Sequence, residues 1–174
     1  MFIQNNTLEK RMSITYADIQ RKSVELEMKR ETRQNFLRQC ANSLANEFKK
    51  SLSLPSDTWK DASGVDHPYV RIGDINDKGT FERRPTVAFR LDDELALSFM
   101  ISTVIDDAPY NGGPHYLVTV KLCVDGGRVV ADIGRGKKQV IVYSPEVEGG
   151  YLDVCEAIKE VIMMGFTDPR LDMV

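Results

Sequence analysis

The chain has 174 residues, of which 42% are hydrophobic and 28% are charged; this composition is typical of a folded globular domain and excludes a disordered chain. The formal net charge of −3 argues against a surface that binds nucleic acid over its whole extent. No apolar run approaches the ~18 residues of a membrane span, and the first residues lack the pattern of a secretory signal. The separated cysteines Cys40, Cys123 and Cys155 predict reduced thiols in a cytoplasmic protein, without a metal site or cofactor.

The charges are distributed unevenly along the chain. Residues 1–50 carry 10 Lys and Arg against 6 Asp and Glu, whereas residues 51–174 carry 13 against 20. A basic segment beside an acidic body favours contact with a partner, and a second copy of the same chain is one such partner. Before the first element, residues 1–14 are polar without a hydrophobic period, so we expect a flexible leader in which Met12 is an alternative start.

The first predicted element is one long helix over residues 15–53. Thr15 and Asp18 provide a side-chain acceptor and an anion for its first turn, and no Gly or Pro follows before Pro55. In the second half of the helix, apolar residues recur at helical spacing, which predicts that this half packs on a sheet. These apolar residues are Leu37, Ala41, Leu44 and Phe48.

The first half of this helix has an apolar stripe that is too thin for a core helix. Ile19, Leu26 and Met28 interrupt a highly charged surface. Two interpretations remain open: a solvated helix face held by ion pairs, or a segment that projects from the body and binds a partner. The basic residues of the predicted partner-binding surface are Arg21, Lys22, Lys29, Arg30 and Arg33.

The middle of the chain predicts a turn-rich loop followed by about five strands. Residues 55–69 are rich in turn formers, and Trp59 is expected to anchor this loop to the body. Further on, apolar and polar residues alternate with a period of two, and the hairpin-length connections favour antiparallel pairing. The predicted strands cover residues 70–75, 86–91, 95–105, 116–124, 129–133 and 140–143.

A short helix over residues 151–164, ended by Gly165, completes the predicted elements. The fold class that follows is α+β, with residues 15–174 as a single domain. In it, the long N-terminal helix and the short C-terminal helix pack on one face of an antiparallel meander of about five strands.

Two segments resemble ligand-binding loops but fail on residue spacing. The glycines around Arg135 lack the preceding Gly and the following Ser or Thr of a phosphate-binding P-loop, and a strand follows them rather than a helix. Residues 74–79 begin like a calcium loop, but Lys78 and Pro85 occupy two of the ligand positions. Both segments are better interpreted as turns.

The loop at residues 106–115 is the most unusual segment, because it is longer than a hairpin between two strong strands requires. Its carboxylates and its imidazole would suit metal binding or proton transfer, but His67 is the only other histidine and no further ligand is indicated. A binding loop is therefore the preferred prediction. Its contact residues are Asp106, Asp107, Tyr110, Asn111 and His115.

No motif identifies a reaction. The leading prediction is a non-enzymatic protein-interaction module, a small accessory or inhibitory protein of microbial or viral type, which binds a protein partner and forms a homo-oligomer without membrane contact. One alternative is a nucleic-acid-binding protein that uses the basic helix together with Lys137, although Glu25, Glu27 and Glu31 interleave with its basic residues. The other alternative is a small-ligand binder or enzyme, which would require a concave pocket at the 106–115 loop.

Overall fold

The computed structural model describes residues 13–172, with the exception of the Asn111 side chain. The predicted leader at residues 1–14 therefore lies outside the described residues, apart from Ser13 and Ile14. The chain divides into two compact units at the boundary between Thr32 and Arg33. A single domain over residues 15–174 stays a prediction.

Helix α1 (Tyr16–Ser51) begins with the cap that its sequence predicted. The Thr15 hydroxyl accepts a hydrogen bond from the Asp18 backbone N–H at 3.2 Å, and the Asp18 carboxylate accepts one from the Thr15 backbone N–H at 2.9 Å. This reciprocal arrangement satisfies backbone donors that the first turn of a helix leaves unpaired. At the other end, Ser53 adopts a left-handed φ of 50°, which turns the chain out of the helix.

All strand pairs in the described part of the chain are antiparallel. A separate hairpin consists of β1 (Thr58–Lys60) and β2 (Asp66–Pro68). The six strands of the main sheet, which has the order β4-β3-β5-β6-β7-β8, are β3 (Val70–Ile75), β4 (Phe81–Arg83), β5 (Leu97–Val104), β6 (His115–Asp125), β7 (Arg128–Ile133) and β8 (Lys138–Val142).

The core lies on one face of the main sheet. Across the central strands, Phe99 is opposite Val120 and Val120 is opposite Ile133, and all three side chains are at most 1% exposed. Helix α2 (Leu152–Gly165) and the second half of α1 contribute apolar side chains to the same core. These helical residues are Leu37, Cys40, Ala41, Leu44, Phe48, Val154, Cys155, Ala157, Ile158 and Val161. The predicted α+β class is confirmed.

The start of α2 is capped by a residue of α1. Tyr151 precedes α2 but provides no side-chain cap of its own. Instead, the Glu47 carboxylate accepts hydrogen bonds from the backbone N–H groups of Gly149, at 2.8 Å, and Tyr151, at 2.9 Å. An anionic acceptor at this position also interacts favourably with the helix dipole. Glu47 therefore fixes where α2 begins.

The predicted strand at residues 86–91 is wrong. Thr86–Ala88 form a 3₁₀ helix, and Leu91 makes only an isolated bridge with Leu97. Side chains of α1 satisfy the backbone groups that a strand would pair. The Arg38 guanidinium donates to the Phe89 carbonyl at 2.7 and 3.0 Å, and the Leu91 N–H donates to the Gln34 side chain at 3.1 Å.

Other predicted boundaries are displaced by turns. The predicted loop at residues 55–69 contains the β1–β2 hairpin, and strand β4 was not predicted at all. Strand β5 begins at Leu97 rather than at residue 95, because Leu95 has a φ of 60° in a turn whose backbone N–H groups bind the Asp92 carboxylate. Between residues 13 and 172, no helix combines the length and the apolar character needed to cross a membrane.

Candidate functional site

A cavity of about 310 Å³ lies where the β1–β2 hairpin and the 106–115 loop meet the main sheet. Its strand residues Arg71, Val104 and His115 alternate with core residues, so they belong to the sheet face opposite the helices. We call this cavity the hairpin pocket. Its principal polar and aromatic lining residues are Trp59, Asp61, His67, Arg71 and His115.

The first wall of the hairpin pocket is an aromatic stack on the β1–β2 hairpin. Trp59 lies opposite His67 in the register of the hairpin, with ring centroids 4.9 Å apart and an interplanar angle of 29°. Only 8% of Trp59 is exposed, and its indole Nε1 has no hydrogen-bond partner among the described residues. Because indole nitrogen is a donor only, this buried N–H requires an acceptor that those residues do not provide.

The Asp61 carboxylate holds His67 in place. His67 Nε2 lies 2.9 Å from one carboxylate oxygen, and the other oxygen accepts hydrogen bonds from the backbone N–H groups of Ser63 and Val65. Since a carboxylate can only accept, this contact places a proton on Nε2. The hydrogen bond with His67, followed by those with the backbone, holds the pKa of the Asp61 carboxyl below its usual range.

Arg71 provides the positive charge of the hairpin pocket. Its guanidinium lies over the Phe81 ring, 5.5 Å from the ring centroid. Within residues 13–172, its buried Nε has no hydrogen-bond partner and no carboxylate forms an ion pair with it. Ser102, directly opposite Arg71 on β5, is fully buried, and its hydroxyl is also unpaired within the described chain. Buried polar groups are nearly always paired with protein, water or ligand atoms, so the Arg71 Nε and the Ser102 hydroxyl are exceptions within the described chain.

The 106–115 loop closes one side of the hairpin pocket through its glycines. Gly112 and Gly113 have left-handed φ angles of 69° and 70°, which favour glycine. Gly113 lies directly against Trp59, and a Cβ atom at that position would overlap with Cζ2 and Cη2 of the indole. Close approach of the backbone to the tryptophan therefore requires glycine at residue 113.

The predicted contact residues of this loop lie in different environments. Asp106 accepts a hydrogen bond from the Ala108 backbone N–H at 2.9 Å, so it shapes the loop itself. Asp107 accepts one at 2.6 Å from the hydroxyl of Tyr69, and this bond raises the pKa of that hydroxyl. Tyr110 is 94% exposed.

Of the four predicted loop contacts whose side chains the structure describes, one lines the hairpin pocket. His115 does so, with its ring centroid 6.1 Å from that of Phe81. The backbone of Asn111 ends the 3₁₀ helix Pro109–Asn111, and its side chain lies outside the described ones. Among residues 13–172, no group of three or more His, Cys, Asp and Glu side chains is arranged to hold a metal ion.

The contribution of Asp107 to the stability of the fold can be measured separately from any contribution to binding. We expect Asp107→Ala to lower the free energy of unfolding by about 1–2 kcal/mol, because the buried Tyr69 hydroxyl loses its charged acceptor. Tyr110→Ala should change it by less than about 0.5 kcal/mol, since the side chain is almost fully exposed. Urea unfolding measures both effects. In a Tyr69→Phe background Asp107→Ala should have no further effect, and an undiminished effect there would refute this role of the hydrogen bond.

Four of the five predicted basic residues of α1 lie in a helical segment with no net charge, and the fifth, Arg33, follows that segment directly. Arg21 pairs with Asp18, and Lys22 pairs with Glu25 at 3.1 Å. Lys29 is exposed, whereas Arg30 and Arg33 are partly buried. Residues 13–32 carry four basic side chains, at positions 21, 22, 29 and 30, and four acidic ones, at positions 18, 25, 27 and 31.

Exposed apolar side chains are the more distinctive feature of the same segment, residues 16–32 of α1, which we call the N-terminal helical segment. All its residues except Asp18 and Arg30 are exposed. Sequence reasoning identified Ile19, Leu26 and Met28 as exposed apolar residues. It missed Tyr16 and Val24 in this segment and Ile14 before it. The large apolar residues that are at least 59% exposed between positions 13 and 32 are Ile14, Tyr16, Ile19, Val24, Leu26 and Met28.

The residues that sequence reasoning missed in the hairpin pocket are Asp61, His67 and Arg71, and Trp59 was interpreted as an anchor only. One available signal was the single tryptophan inside a polar, turn-rich segment. Arg71 carries no comparable signal, because an arginine that alternates with apolar residues is typical of any solvated strand face. Comparison of the chain with protein-family models, with curated proteins and with solved structures gives no match in any of the three.

Proposed function

We propose that the protein is a non-enzymatic interaction module that self-associates through the N-terminal helical segment. The observation that carries this proposal is the exposure of large apolar side chains along that segment. Ile19 and Leu26 are seven residues apart and share one side of the helix, next to Tyr16. Val24 and Met28 are four residues apart and form a second row on another side.

The energetics of a solvated helix support a partner for this segment. Most helical stability in proteins comes from burial of an apolar face, and the large apolar side chains of the N-terminal helical segment are exposed within the described chain. Burying one exposed Leu or Ile side chain contributes about 1.5–3 kcal/mol. A partner that covers Ile19 and Leu26 would therefore stabilise both the helix and the complex.

The charge pattern favours a second copy of the chain as that partner. Residues 13–32 have equal numbers of acidic and basic side chains, so two such segments do not repel each other and can place opposite charges against each other. A nucleic acid would require a continuous basic stripe, and the acids at residues 25, 27 and 31 interrupt one. A two-fold dimer is the commonest arrangement for such self-recognition.

Sedimentation velocity over about 1–100 μM tests the proposal, because a dimer dissociates on dilution. We expect the protein to form a dimer at the upper end of this range, and the variant Ile19→Ser with Leu26→Ser to remain a monomer. At a concentration at which both proteins are monomeric, their thermal midpoints should be equal. The matched control is Val147→Ser with Leu171→Ser, which removes two other exposed apolar side chains and should leave the dimer intact. A monomer at every concentration, or a dimer that persists in the first variant, would contradict the proposal.

The same proposal includes an accessory or inhibitory role towards a protein partner and a cytoplasmic location. Cys40, Cys123 and Cys155 are free thiols, which suits a reducing compartment. Burial raises the pKa of the Cys40 thiol, and it raises that of Cys155 to about 11. Both groups therefore stay protonated and poorly reactive near neutral pH, as structural thiols do.

A further inference from the structure

We propose that the hairpin pocket binds a small aromatic monocarboxylate. Its carboxylate would accept hydrogen bonds from Arg71 and from the indole N–H of Trp59, and its ring would lie against the stack of Trp59 and His67. This inference does not depend on self-association of the N-terminal helical segment.

The unpaired donors define the charge of the ligand. Both Trp59 Nε1 and Arg71 Nε are buried, belong to residues that line the same cavity, and have no acceptor among the described residues. A buried donor without a partner costs about 1–3 kcal/mol, and two such donors at one cavity add their costs. Each donor atom has less than 1 Å² of exposed surface, so a ligand reaches both only after the two side chains rotate towards the cavity. A carboxylate offers two acceptor oxygens and the planar shape that the guanidinium fork matches.

The charge balance of the hairpin pocket selects a single negative charge. Arg71 is the cation there without a carboxylate partner in the described chain, whereas Asp61 is already bound to His67 and to two backbone N–H groups. A monoanion therefore neutralises the charge of Arg71 itself. A phosphate dianion would bring an excess negative charge beside Asp61, so phosphate should bind more weakly.

The size and the lining residues of the hairpin pocket favour a ligand that contains an aromatic ring. A volume of about 310 Å³ is at the lower end of the range for small-molecule sites. The cavity is bounded by the Trp59–His67 stack and by the apolar side chains of Pro68 and Val104, which suit an aromatic ring better than a charged or extended chain. The backbone of Gly113 lies against the indole and also lines the cavity.

Intrinsic fluorescence tests this inference directly, because Trp59 is the only tryptophan in the chain. We use benzoate as the probe and expect a saturable change in emission with a dissociation constant below about 1 mM. Benzamide has the same ring without the negative charge and should bind at least tenfold more weakly. Inorganic phosphate has negative charge without a ring and should also bind at least tenfold more weakly than benzoate.

Substitutions of two different arginines test whether the carboxylate of the ligand binds at Arg71. Arg71→Met keeps an unbranched side chain but removes the charge, and it should weaken benzoate binding at least tenfold. Arg90→Met removes the same charge from an exposed residue outside the cavity and should leave binding unchanged. Equal affinity for benzoate and benzamide, unchanged affinity in Arg71→Met, or no saturable signal up to about 10 mM benzoate would overturn the inference. If Arg71→Met does not fold, the comparison of benzoate with benzamide on the unaltered protein decides the question alone.

Discussion

Leu44→Ala should lower the free energy of unfolding by about 2–5 kcal/mol, the range for truncating a buried leucine. The Leu44 side chain is 0% exposed in the core between α1 and the sheet, so its removal leaves a cavity lined by apolar side chains. Urea unfolding at a concentration at which the protein is monomeric measures this loss.

Leu26→Ala is the matched control, because it is the same substitution in the same helix at a residue that is 69% exposed. In the monomer it should change stability by less than about 0.5 kcal/mol. At higher concentration it should destabilise the protein further, because dimer formation stabilises the folded state in proportion to occupancy. Equal losses for Leu44→Ala and Leu26→Ala in the monomer would show that the two halves of α1 do not differ in burial.

Gly113→Ala should destabilise the protein by about 2–5 kcal/mol and shift the emission of Trp59. A residue with a side chain at a φ of 70° costs about 1–2 kcal/mol, and the overlap of its Cβ with the indole adds about 1–3 kcal/mol of overpacking. Thermal unfolding, with fluorescence of the folded state, measures both effects.

The neighbouring substitution Gly112→Ala isolates the contact with Trp59. Gly112 has nearly the same φ, 69°, but a Cβ at that position would meet no atom within 4 Å. We therefore expect only the backbone cost of about 1–2 kcal/mol and an unchanged emission spectrum. If the two alanine variants have the same stability and the same emission spectrum, the 106–115 loop is not in close contact with Trp59, and the hairpin pocket is less tightly closed than inferred.

The elements that sequence predicted well are those whose signals are local. Strand β6 was predicted at 116–124 and covers His115–Asp125, since every second residue is apolar and glycines follow directly. Helix α2 shifted by one residue only. In both elements, the hydrophobic period and the turn residues agree with the final fold, and such agreement makes prediction from sequence possible.

The strand prediction failed where side chains that are distant in sequence form hydrogen bonds with the backbone. Residues 86–91 alternate like a strand, but Arg38 and Gln34 of α1 occupy the hydrogen-bonding groups of Phe89 and Leu91. Neither contact leaves a mark in the local sequence, because each partner is more than fifty positions away. Alternation alone therefore cannot distinguish a paired strand from an extended segment beside a helix.

The hairpin pocket was predictable only in part, for the same reason. The length of the 106–115 loop indicated the region, and His115 does line the cavity. Trp59, Arg71 and Gly113 come from three separate segments, and their meeting depends on the register of β3 with β5 and on the docking of the β1–β2 hairpin. That two donors are buried without acceptors is a property of packing, which no residue pattern records.

The cap that Glu47 provides for α2 has a consequence for how the chain folds. Glu47 is synthesised 102 residues before Gly149, so α1 leaves the ribosome long before the helix whose first turn it completes. Until the sheet and then α2 have been made, the apolar residues around Leu44 are not fully covered, and the nascent chain is exposed to aggregation. Closing a loop of this length is also costly in entropy, so docking of α2 belongs to the late steps of folding. Helix α2 therefore completes a core to which the second half of α1 contributes.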